Sequence, residues 1–123
     1  MSHLALVQGP AAASHAREHV RERLGGALDS SRIADAELMT SELVANAFRH
    51  ADLAEDAQVG LNVDLTTAAI RVTVVDAGRG FDVGWDVQTS DTGGWGLVLV
   101  AQISDRWGIH SAHPHSVWFE IDR

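Results

Sequence analysis

The chain has 123 residues and a formal net charge of −8, which suits a single acidic domain. It contains no cysteine, so disulfides and Cys-ligated zinc are excluded. It also contains no lysine, which excludes Schiff-base enzymes and ATP sites built on a P-loop lysine. The acidic balance argues against a direct nucleic-acid partner. No membrane segment or signal peptide is predicted, so we expect a cytoplasmic protein.

The first half of the chain predicts a strand followed by two helices. A short strand is predicted over residues 3–8, and a helix beginning at Gly9–Pro10 and ending at Gly25–Gly26. Its apolar residues recur at helical spacing. Asp29 then offers N-cap chemistry for a longer helix that reaches about residue 50. The predicted apolar positions of the two helices are Ala12, Ala16, Val20 and Leu24, and Ile33, Ala36, Leu43, Ala47 and Ala51.

The second half predicts two hairpins separated by a long loop and a short helix. Apolar residues alternate strictly over 59–65, and the β-branched run 70–75 completes a hairpin with them. The glycine-rich segment 76–94 is predicted to be a functional loop. A buried helix is expected over 95–104 and a closing hairpin over 106–110 and 116–121, with Trp107 and Trp118 in the core. The order predicts an α+β, two-layer sandwich with a mixed, largely antiparallel sheet and helices on one face.

Three polar side chains align on the long helix. Glu42, Asn46 and His50 are spaced i, i+4 and i+8, so they lie on one face. A carboxylate, an amide and an imidazole in a row are unusual beside an apolar stripe. A solvated polar face is the alternative, and for such a helix alone it is the favoured one.

Two glycine-rich motifs follow the long helix. Asp76, Gly78 and Gly80 form Asp-x-Gly-x-Gly at the end of a predicted strand, where an acceptor side chain and close backbone approach suit a ligand. A turn that needs positive φ is the alternative. Residues 93–97 read Gly-Gly-Trp-Gly-Leu before a helix, where free N–H groups can face a phosphate. A tight loop-to-helix junction explains this motif equally well.

The ordered set of Glu-x3-Asn-x3-His, Asp-x-Gly-x-Gly and Gly-x-Gly-Leu resembles the N, G1 and G2 boxes of the GHKL, or Bergerat-fold, ATPases. The resemblance runs over residues 10–121, and it implies one histidine-kinase-like ATPase domain over 1–123. The stretch 42–51 and the short lid over 81–92 look most like the bacterial anti-sigma-factor serine-protein kinases. One departure is Ser116, which keeps a hydroxyl before the last strand although the glycine usual before it is absent.

The resemblance implies ATP and Mg²⁺ as cofactors and a role for each matching residue. Glu42 would be the general base for a protein serine hydroxyl, Asn46 the Mg²⁺ ligand, and Asp76 the acceptor for the adenine amino group. Further nucleotide contacts are implied for Asn46, Arg49, His50, Gly78, Gly80, Thr92, Gly93, Gly94, Gly96, Leu97 and Ser116.

The implied function is that of an anti-sigma-factor regulator that phosphorylates a serine of its antagonist. Its partners would be a sigma factor, a STAS-type anti-anti-sigma antagonist and a second copy of the chain. Two alternatives remain open: a non-catalytic, ATP-dependent protein-binding module, and a histidine-kinase-like catalytic domain. No phosphoacceptor helix is predicted in the 123 residues, which weighs against the last.

Two further groups of side chains have open roles. Arg17 and Arg21 share a helix face and are candidates for contacting an acidic partner, with a solvated face as the alternative. His110, His113 and His115 flank a hairpin turn, where exposed histidines are expected more often than a metal site.

Overall fold

The computed structural model describes residues 2–7, 10–50, 58–76, 95–110 and 116–123, and its elements follow in the predicted order. The elements are β1 (Ser2–Val7), α1 (Ala12–Leu24), α2 (Ser30–His50), β2 (Gln58–Leu65), β3 (Ala69–Asp76), α3 (Trp95–Ile103), β4 (Arg106–His110) and β5 (Ser116–Asp122).

The strands form one five-stranded sheet in the order β1-β2-β3-β5-β4. Each neighbouring pair of these described strands is antiparallel, which confirms the largely antiparallel sheet that the sequence predicts. The β2–β3 turn is fastened by Thr66, whose N–H donates to the carbonyl of Ala69 at 2.9 Å. The Thr66 hydroxyl oxygen also accepts the N–H of Ala68 and of Ala69. Local hydrogen bonding by a threonine side chain therefore fixes the register of the central hairpin.

The apolar strand positions lie on one face of the sheet, and the helices cover that face. Register places Leu61 opposite Val74 and Val74 opposite Val117, and all three are fully buried. α1 packs on β1 and β2, while α2 lies over β2, β3 and β5 and contacts α3. The architecture is thus the predicted two-layer α+β sandwich. None of the helices in the described ranges combines the length and the apolar composition that crossing a bilayer requires.

The helix ends agree with the predicted capping chemistry. Asp29 Oδ1 accepts the backbone N–H of Arg32 at 2.9 Å, so it caps α2. α1 ends where Gly26 adopts a φ of 86°, which favours glycine. α1 begins at Ala12, two residues after Pro10 rather than at it.

The predicted helix stripes are confirmed in most positions. The four predicted positions of α1 are all buried. In α2, Ala36, Leu43 and Ala47 are fully buried and Ile33 packs against the core, whereas Ala51 lies outside the described residues. The prediction omitted Met39 and Val44, which are also fully buried in the core.

The prediction that Trp118 belongs to the core is wrong. Core positions on β5 are Val117 and Phe119, so the residue between them lies on the opposite face. There the ring of Trp118 lies over Gly108, where a Cβ would come within 2.7 Å of the indole. The guanidinium of Arg71 stacks 4.0 Å from the ring centroid.

The side chain of Thr40 places a hydroxyl group in the core. Thr40 is fully buried in α2, and its Oγ1 makes no hydrogen bond in the part of the chain described. An unpaired buried hydroxyl costs about 1–3 kcal/mol. We expect Thr40→Val to raise the free energy of unfolding by about 1 kcal/mol. Thr40→Ser, which keeps the hydroxyl and removes the methyl, should lower it. Urea titration of both variants measures this, and a Val variant less stable than the parent contradicts it.

The carboxylate of Asp29, which caps α2, makes the stability of the fold depend on pH. Hydrogen bonds from the Arg32 N–H and the Ser31 hydroxyl hold the pKa of Asp29 below its ordinary value of 3.8. A carboxyl whose pKa is lowered by folding stabilises the fold above its ordinary value, and the contribution is lost as the pH falls from that value through the lowered pKa of the folded state. Asp29→Asn keeps a cap but has no charge to lose.

We therefore expect the parent to exceed Asp29→Asn in urea midpoint at pH 6, with a difference that shrinks as the pH falls below about 3.8. Asp64→Asn, on β2, is the control, because Asp64 caps no helix. A constant difference between pH 6 and pH 3 would rule out the charge of Asp29 as its cause.

Candidate functional site

The ends of five elements meet at one end of the sheet, which we call the site end. β3 finishes there at Asp76, and its neighbour Val75 pairs with Ser116, the first residue of β5. β2 begins at the same end, and α2 finishes before the segment that leads to it. α3 ends at Ile103, just before β4 starts at the opposite end, so its first turn points toward the site end. Topology therefore brings the described parts of the three predicted motifs, which are the second half of α2, the end of β3 and the start of α3, to the same end of the sheet.

The middle of the site is the second half of α2. Asn46 is only 2 % exposed, whereas Glu42, one turn earlier, is half-buried. A solvated polar face is therefore the wrong interpretation for Asn46. Asn46 is thus a polar side chain among the buried residues of α2. An amide at this position offers a hard oxygen of the kind that Mg²⁺ takes from proteins.

The first turn of α3 supplies backbone donors and one core side chain. α3 begins at Trp95, so the N–H groups of its first turn have no partner within the helix. No acidic residue lies in that turn to compete for them. The Leu97 side chain is 1 % exposed and packs in the core. A contact between Leu97 and a phosphate would therefore come from its backbone N–H.

The sheet contributes Asp76 and Ser116. Asp76 is the last residue of β3 and pairs with Val59. Ser116 is half-buried and pairs with Val75 on one side and His110 on the other. The register thus places the backbone of the predicted adenine acceptor next to the strand that carries the predicted hydroxyl.

Part of the predicted site falls outside the described residues. This part includes Gly78, Gly80, Thr92, Gly93 and Gly94. It also includes the side chains of Arg49, His50 and Asp76, although the backbones of these three residues and of Gly96 are described. His113 and His115 also lie outside it. In the part of the chain that the structure describes, no three histidine or acidic side chains group as a metal site.

The opposite end of the same elements holds a cluster that sequence reasoning missed. Arg32, in the first turn of α2, donates to Asp105 Oδ2 at 3.1 Å and to Asp35 at 3.3 Å. The same Asp105 oxygen accepts the backbone N–H of Asp122 at 2.7 Å. Arg32 and Asp105 are 73 residues apart, so no local pattern indicates the pair.

The two arginines proposed as a partner surface differ in the structure. Arg21 is bonded to Glu37 of α2 through Nη2 at 2.8 Å and Nε at 3.3 Å. This pair holds the pKa of Arg21 above its ordinary value. None of the ion pairs found among the described residues includes Arg17. Arg17 is thus the better candidate for an intermolecular contact.

A cavity of about 600 Å³ lies between β1 and α1, away from the predicted site. Its walls include Leu6 and Val7 of β1 and His15, Glu18 and His19 of α1. Burial and the positive charge of Arg23 lower the pKa of His19. None of the predicted site residues that the structure describes is among its walls. Its position at an edge strand separates it from the ends of α2 and α3.

Residues 6–119 match the family described as histidine kinase-like ATPase domain. The chain belongs to this family. The match includes all three motifs and both helices of the proposed pocket, which confirms the resemblance to the GHKL ATPases. No curated protein matches the chain.

The fold of this ATPase domain is also found in a solved protein. The chain is similar to a crystal structure of the RsbU and RsbW domains of Rv1364c from Mycobacterium tuberculosis, with a TM-score of 0.73 and 22% sequence identity. The match covers 100% of this chain and 33% of that one. At this identity the likeness concerns the fold. The chain spans about a third of the length of that protein.

Proposed function

We propose that this domain binds ATP with Mg²⁺ at the site end and transfers phosphate to a serine of a protein antagonist. The observation that carries the proposal is the burial of Asn46 one turn after half-buried Glu42, on an ATPase-family helix. Bound Mg·ATP would supply an activated phosphoryl group whose charge the metal neutralises. The family match supports nucleotide binding, and the choice of a protein serine rests on the resemblance of the motifs.

The residues present fit this ligand. The Asn46 amide oxygen would hold the metal, and the N–H groups at the start of α3 would bind phosphate oxygens. Asp76, at the end of β3, would accept the adenine amino group, with Ser116 on the neighbouring strand beside it. Arg49, His50 and the glycines 78, 80, 93, 94 and 96 complete the proposed contacts, together with Thr92.

Glu42 would act on the acceptor rather than on the nucleotide. It lies one helical turn from Asn46, so a serine hydroxyl brought to the phosphate would meet its carboxylate. Its role would be to take the hydroxyl proton as the oxygen attacks. The non-catalytic binding module is the second candidate, because a half-buried carboxylate also suits a pocket without turnover.

The proposed partners are a sigma factor and a STAS-type antagonist, with the domain acting as a homodimer in the cytoplasm. Arg17, outside the ion pairs of the described chain, is the proposed contact for an acidic partner surface. Arg21 has a smaller role in this proposal because its guanidinium is already hydrogen-bonded to Glu37.

The metal role of Asn46 is tested by nucleotide binding with Mg²⁺ and with EDTA. We expect the parent to bind ATP more tightly with Mg²⁺ and Asn46→Ala to bind equally in both. Asn46→Asp should keep the Mg²⁺ dependence because it keeps a hard oxygen. Asn62→Ala, an amide on β2 bonded to His3, is the matched control. Calorimetry measures the affinities, and a Mg²⁺ dependence that survives in folded Asn46→Ala excludes this role.

The kinase role is tested by Glu42→Gln. We expect ATP affinity to stay within about twofold, and phosphate transfer to a STAS-type antagonist of the same genome to fall about 10²–10⁴-fold, because a general base acts in the transition state. Glu37→Gln, also on α2, should transfer at the parent rate. Calorimetry gives the affinity and the mass shift of the antagonist gives the transfer.

Each outcome of this test selects one function. A parent that binds ATP and the antagonist but transfers no phosphate is the non-catalytic module. Transfer by Glu42→Gln at the parent rate identifies a kinase with another base. Absence of any thermal shift at millimolar ATP contradicts the pocket itself, because ligand at about 100 times Kd stabilises by about 2.7 kcal/mol.

A further inference from the structure

One carboxylate joins three elements of the proposed pocket at the end remote from the site. Asp105 Oδ2 accepts from Arg32, near the start of α2, and from the N–H of Asp122 on β5. Asp105 itself follows α3 by two residues, and its own N–H donates to the Glu120 carbonyl at 2.9 Å. α2, α3 and β5 carry Asn46, the first-turn donors and Ser116 at their other ends.

This arrangement fixes the C-terminal end of α3, while Leu97 near its other end packs in the core. From Ile103 to Trp95 the helix rises about 12 Å. A tilt of about 5° at the far end would move its first turn by about 1 Å relative to α2. Ser104 closes the last turn of α3 itself, because its hydroxyl donates to the Val100 carbonyl at 2.6 Å. The phosphate-binding end of α3 is thus positioned from a distance.

We propose that Arg32 and Asp105 are positioning residues that set the gap between the first turn of α3 and Asn46, and thereby the affinity for the phosphate groups of the nucleotide. This inference rests on the proposed function. Adenine would be bound by Asp76 at the end of β3, which Arg32 does not hold. Loss of the Arg32–Asp105 pair should therefore weaken the binding of ATP and leave the binding of adenosine unaffected.

The structure offers a matched comparison within the same helix. Arg21–Glu37 is also an ion pair that holds another element to α2, with an N–O distance of 2.8 Å against 3.1 Å for Arg32–Asp105. It joins α1, which carries none of the predicted nucleotide contacts. Glu37→Gln and Asp105→Asn are the same kind of change, acid to amide. Any general effect of losing an ion pair between α2 and another segment should be common to the two variants.

The experiment measures the ratio of ATP affinity to adenosine affinity by equilibrium dialysis of the full chain. We expect Asp105→Asn and Arg32→Gln to lower this ratio about threefold to fivefold, the range for one partly exposed ion pair. Arg32→Lys should restore most of it because the charge remains. Glu37→Gln should leave the ratio unchanged, and so should Asp35→Asn, which removes the other partner of Arg32.

The outcomes separate this inference from the function on which it rests. A parent that binds ATP no better than adenosine refutes the phosphate pocket, and the positioning role with it. If the parent prefers ATP but Asp105→Asn keeps the parent ratio, the positioning role alone is overturned and the pair only stabilises the fold. A ratio that falls equally in Glu37→Gln has the same meaning. If Arg32→Gln does not fold, Arg32→Lys and Asp105→Asn decide the question.

Discussion

The sheet is apolar on one face only, and the position of every helix follows from that constraint. Strict alternation along the strands sends Leu61, Val74 and Val117 to the same side, where only helices can cover them. The three helices that the structure describes pack across that face, and α2 and α3 each have one end at the site end. A ligand site can therefore form where elements end, and the polar residues of the motifs lie at such an end. The opposite face keeps charged partners such as Arg71 and Glu120, whose Nε–Oε2 distance is 2.9 Å.

Local sequence signals were sufficient for the order and type of the elements. Helical spacing in α1, the Asp29 cap and the alternation of β2 each depend on interactions within a few residues. The position of Trp118 depends instead on Gly108 of the neighbouring strand, which leaves room for the ring. Trp118 is predicted to lie in the core, but the alternation along β5 contradicts this. The buried residues of β5 are Val117 and Phe119, so Trp118 between them lies on the other face.

Sequence spacing predicts which side chains of α2 align, but not whether they are buried. Spacing alone aligned Glu42 and Asn46, yet a polar face and a buried amide give the same spacing. Only packing by α3 and the sheet distinguishes them, and Asn46 is buried. The Arg32–Asp105 pair had no signal in the sequence, because its partners are brought together by the whole fold. Features that join distant segments are thus those that sequence patterns omit.

The pairing of β1 with β2 has a consequence for the order of folding. Ser2 pairs with Val63 and Val7 with Gln58, so both helices α1 and α2 lie inside the loop that this pairing closes. Closing so long a loop costs more chain entropy than closing the β2–β3 hairpin, whose turn is only a few residues. On a ribosome, β1 is synthesised before β2 and cannot pair with it until β2 has left the exit tunnel. When the full chain folds, loop-closure entropy therefore favours formation of the β2–β3 hairpin before β1 joins the sheet.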